Sequence, residues 1–139
     1  MKKIVLISCV SKKLPKKSKA NDLYISPLFR YNVKYPKSLN PDKIFILSTK
    51  YGLLDLEQEI ETYNQTLNEM SSTEIKKWAD EVIEKLKNMT DIKKDKFIFL
   101  AGNNYRKYLV KSIINYEVPL NGLTIGRQLK YLKERVSNR

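Results

Sequence analysis

Histidine is absent from this chain of 139 residues, and cysteine occurs once, at position 9. Without histidine there is no Ser-His-Asp or Cys-His arrangement, and no imidazole to carry a proton or bind a metal. A lone cysteine cannot form a disulfide within the chain, which fits a reducing compartment. One cysteine is also too few for a zinc site built from protein ligands. We therefore expect no metal and no cofactor, with any acid–base chemistry left to Asp, Glu, Lys, Tyr or a bound water.

Glycine and long apolar runs are also scarce. The four glycines form neither a Walker phosphate loop nor a three-glycine dinucleotide fingerprint. The longest apolar runs have the length of a strand, so we expect no transmembrane helix, and the run after the two N-terminal lysines is too short for a secretory signal. These absences predict a cytoplasmic protein with no membrane partner. A hydrophobic content of 42% predicts one packed domain over residues 1–139.

Acidic residues are the third shortage, with 15 Asp and Glu against 27 Lys and Arg and a net charge of +12. A net positive charge of this size creates an electrostatic field that attracts polyanions and speeds association with them. The alternative to a polyanionic partner is that the protein comes from a lysine-rich proteome and that its extra lysines contribute only to solubility. Clustering favours nucleic acid as the partner, because five lysines fall between positions 12 and 19. The C-terminal segment adds a second basic group: Arg127, Lys130, Lys133, Arg135 and Arg139.

Apolar runs alternate with helical patterns along the chain. Strands are predicted at Lys3 to Ser8, Lys43 to Ser48 and Lys96 to Ala101, with a short fourth strand at Val118 to Leu120. Such alternation is typical of parallel strands joined by helical crossovers. The sequence therefore predicts an α/β fold: a single three-layer domain, with a parallel sheet of about four strands and helices on both faces.

Four helices are predicted between these strands. One starts at Ser26-Pro27, a serine cap followed by a helix-initiating proline, and ends at Pro36. Another starts at Ser71 or Ser72, where Ser71 and Glu74 have the spacing of a capping box, and its apolar face places Trp78 in the core. The other two are expected at Asn104 to Ile114 and, after Gly126, at Arg127 to Val136. We expect no regular structure from Leu53 to Met70 beyond a short turn or helix.

Three of the predicted strands end in polar residues. Because ligands in open α/β sheets bind at the carboxyl ends of strands, we expect these residues to share one site. After the first strand they are Ser8, Cys9, Lys12 and Lys13; after the second, Ser48, Lys50, Tyr51 and Gly52; after the third, Gly102, Asn103, Asn104 and Tyr105.

Several of these candidates have two interpretations. Asn103 and Asn104 either cap a helix or read a base edge and hold a water. Cys9 is either a packing residue or a nucleophile.

Two segments outside the strand ends supply further candidates. The segment Asp22 to Pro27 offers a carboxylate, the phenol of Tyr24 and the hydroxyl of Ser26, and Asp22 either acts as a general base or neutralises nearby lysines. Gly126 and Arg127 form either an anion loop at a helix start or an ordinary turn and cap.

Two motifs resemble the peroxide-stress YaaA-like family. Lys50 to Leu54, followed by Ile60, Tyr63 and Met70, is similar to its Y-G-L-L…I…Y…M signature, and Leu100 to Tyr105 is similar to its L-A-S-N-x-Y segment. The patterns S-C-x-x-K-K, L-Y-x-S-P-L-F and L-S-x-K-Y-G-L look closer still to small bacterial and phage domains related to that family. Those domains also resemble the uracil-DNA glycosylase superfamily at the level of the fold.

The resemblance implies a DNA-associated protein, and the first hypothesis is a DNA glycosylase-like enzyme acting on a modified or damaged base. In that hypothesis Asp22 and Asn104 are catalytic. Aromatic and cationic residues receive the base and phosphates: Tyr24, Tyr51, Tyr105, Lys12, Lys13, Lys50 and Arg127. Two alternatives remain open. One is a non-catalytic DNA- or RNA-binding protein, and the other is an enzyme acting on a nucleotide or nucleoside.

Overall fold

A computed structural model describes residues 1–10 and 12–137, so Arg139 of the basic C-terminal segment lies outside the described residues. Within this part of the chain, no helix is both long enough and apolar enough to cross a membrane. The α/β class predicted from the alternation of apolar runs is confirmed. Strands and helices follow one another along the chain, and most strands of the main sheet run parallel.

The three long strands lie where the apolar runs predicted them. They are β1 (Lys3–Ser8), β3 (Lys43–Ser48) and β6 (Lys96–Leu100), the last one residue shorter than predicted. β1 pairs in parallel with both others and lies between them. Continuous apolar runs form these strands because a central parallel strand is covered on both of its faces.

The main sheet has five strands in the order β4-β3-β1-β6-β7, where β4 is Gly52–Asp55 and β7 is Tyr116–Glu117. Four of them are mutually parallel, and β4 (Gly52–Asp55) pairs antiparallel with β3. The prediction of an irregular segment from Leu53 was wrong here, because Gly52, at a φ of 74°, lets the chain turn directly back along β3. The short strand predicted at Val118 to Leu120 was also misplaced: β7 is Tyr116–Glu117, ahead of Pro119, which has no N–H to donate to a ladder.

A second, two-stranded ribbon lies outside the main sheet. It pairs β2 (Ser18–Lys19) with β5 (Glu59–Ile60) in the antiparallel sense. The ribbon ties the segment after β1 to the segment after β4. Part of the chain that the sequence left irregular is therefore held to the body of the domain.

Helix starts were predicted well. Ser26 caps α2 (Pro27–Lys37), and its Oγ accepts from the N–H of Phe29. Ser71 caps α3 (Ser72–Met89) in the predicted capping box with Glu74. Pro36 does not end α2 as predicted but lies within its last turn. A short helix, α1 (Ala20–Leu23), precedes α2.

The two C-terminal helices differ from their predictions. α4 covers only Asn103–Arg106 and gives way to turns, whereas a helix to Ile114 was predicted. α5 covers Ile125–Ser137, so Gly126 lies inside its first turn rather than before it. The reason is that Thr124 caps this helix: its Oγ1 accepts from the N–H of Arg127 at 3.3 Å.

Buried apolar side chains form two clusters, and β1 contributes to both. Ile4 and Leu6 pack in a cluster with α3, while Val5 and Ile7 pack in a cluster with α2 and α5. Because neighbouring strand residues point to opposite faces, the two clusters lie on opposite faces of the sheet. The carboxyl ends of the parallel strands lie between them at one edge.

Candidate functional site

The order of the sheet strands reverses between β1 and β6. From β1 the chain passes to β3 on one side, and from β3 it then crosses β1 to reach β6 on the other side. The crossover with α2 packs on one face, and the crossover with α3 packs on the other. Helices that diverge in this way leave a crevice at the carboxyl ends of the two central strands, where ligands of open α/β sheets bind.

A cavity of about 510 Å³ occupies this place, and we call it the central cavity. Its walls come from the end of β1, the turn from β6 into α4, and residues of α2 and α5. A volume of this size suits a small organic ligand such as a nucleobase with its sugar. Six carboxamides line it: Asn32, Asn68, Asn103, Asn104, Asn121 and Gln128. Its other polar lining comes from Ser8, Cys9, Tyr105 and Arg106.

Arg106 is the cation of the central cavity, and two contacts fix its guanidinium. Nη1 donates to the carbonyl of Ala101 at 2.8 Å, and Nη2 donates to Oδ1 of Asn121 at 3.1 Å. No Asp or Glu is among the described residues that line this cavity. The cavity therefore combines neutral hydrogen-bonding groups with one positive charge, which suits a polar ligand carrying negative charge or developing it.

Asn104 is oriented by a second asparagine. Its Nδ2 donates to Oδ1 of Asn68 at 2.7 Å, so Oδ1 of Asn104 is the atom that can accept a hydrogen bond from a ligand or a water. Asn68 lies in a 3₁₀ turn (Leu67–Glu69) that follows Thr66. Asn103 and Asn104 lie in the first turn of α4, but the α4 cap is Gly102 and no side chain caps that helix.

Asn32 differs from the other carboxamides because it is deeply buried. It is 5% exposed, and its Oδ1 has no hydrogen-bond partner among the described residues. A buried polar atom without a partner costs about 1–3 kcal/mol. Asn32 is among the residues that line the central cavity, so rotation of its amide would bring this oxygen toward a ligand there.

The three strand ends meet directly at a cluster of one thiol and two hydroxyls. Cys9 Sγ lies 3.5 Å from Thr49 Oγ1 and 3.3 Å from the phenol oxygen of Tyr105. Thr49 and Tyr105 are themselves 3.1 Å apart. Burial, together with the neighbouring Cys9, raises the pKa of Tyr105, so its phenol keeps its proton and remains a donor.

A chain of hydroxyls extends from this cluster into the core. The phenols of Tyr24 and Tyr63 lie 2.6 Å apart, and Ser48 Oγ donates to the Tyr63 oxygen at 2.9 Å. Burial raises the pKa of both phenols. Lys13 covers this chain with its Nζ 4.5 Å from the centre of the Tyr63 ring, and burial lowers the pKa of Lys13.

A second cavity, of about 380 Å³, lies beside α3, and we call it the lateral cavity. It is lined by Thr49, Lys50, Tyr51 and Gly52 after β3, and by one face of α3 that includes Trp78. Trp78 packs edge-on against Tyr105, with ring centres 5.7 Å apart, and its Nε1 donates to the carbonyl of Ser48 at 2.8 Å. This pair of rings separates the lateral cavity from the central cavity.

Most of the predicted site residues therefore fall into three groups. The central cavity brings together Ser8, Cys9, Gly102, Asn103, Asn104 and Tyr105. The lateral cavity takes Lys50, Tyr51 and Gly52. Ser48 and Tyr24 are fully buried in the hydroxyl chain with Lys13, where Tyr24 cannot stack on a base.

Five further predicted residues lie outside both cavities and outside the hydroxyl chain: Lys12, Asp22, Ser26, Gly126 and Arg127. Asp22 is exposed, and its charge acts on Lys19 and Arg30, which is the neutralising role rather than the general-base role. Ser26 is occupied as the cap of α2. Gly126 and Arg127 are exposed in the first turn of α5.

The predicted site omitted five cavity residues: Asn32, Asn68, Arg106, Asn121 and Gln128. They come from four separated parts of the chain. Arg106 and Asn121 carried a signal, because Arg106 follows the polar segment after β6 and Asn121 directly follows the predicted strand from Val118 to Leu120. No group of three or more Cys, Asp or Glu side chains among the residues that the structure describes could hold a metal ion.

An α/β domain with a carboxamide-lined cavity at the reversal of strand order is the class of protein that this fold and site define. Residues 4–134 match a family of unknown function, DUF6884, and the chain belongs to that family. No curated protein and no solved structure matches the chain.

Proposed function

We propose that this protein is a nucleic-acid-directed enzyme of the DNA glycosylase type, which holds a modified or damaged base in the central cavity. The observation that carries the proposal is the lining of the cavity: six carboxamides and Arg106 at the reversal of strand order. Carboxamides pair with base edges because each offers an acceptor beside a donor. The net charge of +12 supports a polyanionic partner, with DNA as the first candidate and RNA as the second.

The cavity offers groups for both halves of the proposed reaction. The bond between the sugar C1′ and the base nitrogen breaks, and its electron pair leaves with the base. Arg106 and the carboxamide donors stabilise that negative charge. Water adds to C1′, one of its protons passes to the base, and Oδ1 of Asn104 orients the water. Asp22 has no part in this reaction, because it does not line the cavity.

The finer description of the fold belongs to the same proposal. The resemblance to YaaA-like proteins and to the uracil-DNA glycosylase superfamily implies a three-layer domain. Apolar clusters on opposite faces of β1 support that architecture. Extrusion of a base would place its ring beside Tyr105, the one predicted stacking residue that lines the central cavity.

The test is release of a base from nucleic acid. Single- and double-stranded DNA and RNA carrying a panel of modified bases are incubated with the protein. Abasic sites are then detected by alkaline cleavage, and free bases by mass spectrometry. We expect at least one substrate to acquire abasic sites, and we expect Asn104→Ala and Arg106→Gln to lower the rate about 100-fold or more.

Matched controls separate loss of chemistry from loss of structure. Asn88→Ala removes an exposed asparagine on α3, and Lys93→Gln removes an exposed cation before β6, at the opposite edge of the sheet. Both variants should keep the wild-type rate. If no substrate in the panel loses a base although the DNA is bound, the proposed enzyme activity is wrong.

A second function is favoured by one observation, the lack of Asp and Glu in the lining of the central cavity. Without a carboxylate to take a proton from water, the same cavity would bind an extruded base and leave the glycosidic bond intact. This alternative predicts saturable binding that requires Asn104 and Arg106, with every base still attached to its sugar after incubation.

A further inference from the structure

Asn32 differs from the other polar groups of the central cavity in its burial. Its neighbours in the lining from the same face of the sheet are mainly apolar, Leu28, Leu123 and Ile125. Gln128 of α5 lies on the same side, but its Nε2 is occupied because it donates to the carbonyl of Leu123 at 2.9 Å. The other four carboxamides lie on α4 or in the loops. The cavity is therefore asymmetric, with one largely apolar side in which Asn32 is a deeply buried amide.

The Oδ1 atom of Asn32 is buried and has no hydrogen-bond partner among the described residues. Native proteins satisfy nearly all buried polar atoms, so an exception needs a reason such as a functional role. An apolar side chain of similar shape at this position would avoid the desolvation penalty altogether. An asparagine at position 32 therefore stabilises the fold less than an apolar side chain of similar shape would.

From this asymmetry we infer that Asn32 determines the specificity of the central cavity, by accepting a hydrogen bond from a ring-edge N–H of a bound base. The inference rests on the proposed function, because it assumes that a base enters this cavity. The flat faces of the ring lie against the apolar side chains of the α2 and α5 side. The base edge reaches Asn32, and the sugar and its phosphate lie toward Arg106.

The geometry of asparagine permits this contact. The terminal torsion of its side chain is broad and roughly two-fold, so the amide can present its oxygen to the cavity. The adjacent Nδ2 can donate at the same time to a ring nitrogen or a carbonyl oxygen of the base. A pair of such bonds recognises an edge that carries an N–H donor next to an acceptor.

The experiment uses the full chain and pairs of nucleosides that differ in one donor. Binding of thymidine, adenosine and cytidine is measured by saturation-transfer NMR and calorimetry. Each is compared with its analogue without the N–H: 3-methylthymidine, N6,N6-dimethyladenosine or N4,N4-dimethylcytidine. We expect the wild-type protein to bind at least one parent nucleoside about tenfold or more tightly than its analogue.

Two variants assign that discrimination to Asn32. Asn32→Leu keeps the branched shape and removes the amide, and Asn32→Ala removes the amide without any risk of overpacking. Both should lose the preference for the parent nucleoside. Asn32→Leu should also raise Tm by about 3 °C or more, because it removes a buried unpaired oxygen. The control Asn88→Leu, at an exposed position of α3, should change neither quantity.

The outcomes separate this inference from the proposed function. If the wild type binds no nucleoside and no DNA that carries a modified base, the proposed function fails and this inference fails with it. If the wild type discriminates and both Asn32 variants discriminate equally well, the proposed function survives and this inference is overturned.

Discussion

The phenol oxygens of Tyr24 and Tyr63 lie 2.6 Å apart, although 39 positions separate the two residues in the chain. The contact joins the segment before α2 to the segment after β5, and Ser48 extends it to the end of β3. Tyr24 is completely buried, so its hydroxyl would be costly without these partners. The pair is therefore a structural link beneath the candidate site rather than a base-stacking surface.

The buried tyrosines predict a loss of stability at high pH. Burial raises the pKa of Tyr24 and Tyr63 above its ordinary value near 10, so the folded chain keeps protons that the unfolded chain releases. Their contribution is fully present below pH 10 and decreases above it, by up to about 1.4 kcal/mol per pH unit for each phenol. Urea unfolding between pH 8 and pH 11 measures this slope.

Phenylalanine variants assign the slope to these two residues. The double variant Tyr24→Phe and Tyr63→Phe should lose less stability between pH 10 and pH 11 than the wild type. Tyr116→Phe, at an exposed position of β7, is the control and should follow the wild type. Equal slopes in all three proteins would show that other groups govern the alkaline transition.

Gly52 and Gly102 were both predicted to contact a ligand, but replacing each with alanine should have different effects on the free energy of unfolding. Gly52 has a φ of 74°, a conformation that costs other residues about 1–2 kcal/mol. Gly102 has a φ of −67°, and a Cβ there would meet nothing within 4 Å. Gly52→Ala should therefore lower the free energy of unfolding by about 1–2 kcal/mol, and Gly102→Ala should leave it nearly unchanged.

Chemical denaturation of the two variants side by side makes each the control of the other. The atoms nearest to a Cβ at position 52, on Val82 and Lys85, lie 3.7 Å away, so the cost comes from the backbone and not from a clash. Equal midpoints for Gly52→Ala and Gly102→Ala would contradict this account of the turn between β3 and β4.

The start of α3 predicts a difference between two adjacent serines. Ser71 Oγ accepts from the N–H of Glu74 at 3.2 Å, and Glu74 accepts in return from the N–H of Ser71. Ser71→Ala removes the cap and should lower stability by about 1 kcal/mol. Ser72→Ala, one residue inside the helix, should have little effect or a slightly favourable one. A smaller loss for Ser71→Ala than for Ser72→Ala would contradict the capping box.

The basic segment after β1 predicts salt-dependent binding of nucleic acid. Lys16 and Lys17 are exposed, whereas Lys19 pairs with Glu57 at 3.0 Å. Log affinity falls linearly with log salt, and the fall is steeper when more phosphates are contacted. If Lys16 and Lys17 each contact a phosphate, replacing both with glutamine should reduce the absolute value of this slope by about 1.8. Fluorescence anisotropy with duplexes of different sequence measures this change, which should be alike for every sequence.

The matched control for this charge change lies at the other end of the sheet. Lys93 and Lys94 are exposed just before β6, away from the carboxyl ends of the strands. Their double replacement with glutamine removes the same charge and should leave the slope nearly unchanged. Equal slopes for the two double variants would mean that the net charge, and not the segment after β1, attracts nucleic acid.

Local signals in the sequence predicted much of the fold. β1 and β3 were predicted at their observed limits, because short runs such as Ile44 to Leu47 are typical of a strand covered on both faces. α3 was predicted from Ser71 and Glu74, whose side chains act within one turn. In both cases the stabilising interaction involves close neighbours in the chain, or burial of the element as a whole.

The failures came where distant contacts decide the structure. The predicted helix from Asn104 stops at Arg106, and the Arg106 side chain bonds to Ala101 and Asn121. Asn32 looks like an ordinary polar residue of an amphipathic helix, and nothing in its local sequence places it in a cavity wall. The other residues of the central cavity were predicted only where they lie at or just after the end of a predicted strand.

Ligand binding in the central cavity depends on several separate parts of the fold at once. The lining of this cavity runs from Ser8 to Gln128 and includes α2, the turn into α4 and the first turns of α5. No single helix or strand contains the whole lining, so a ligand of this cavity binds the folded state alone. Binding should then slow amide hydrogen exchange across all of these segments together, since each must stay in place for the ligand to remain.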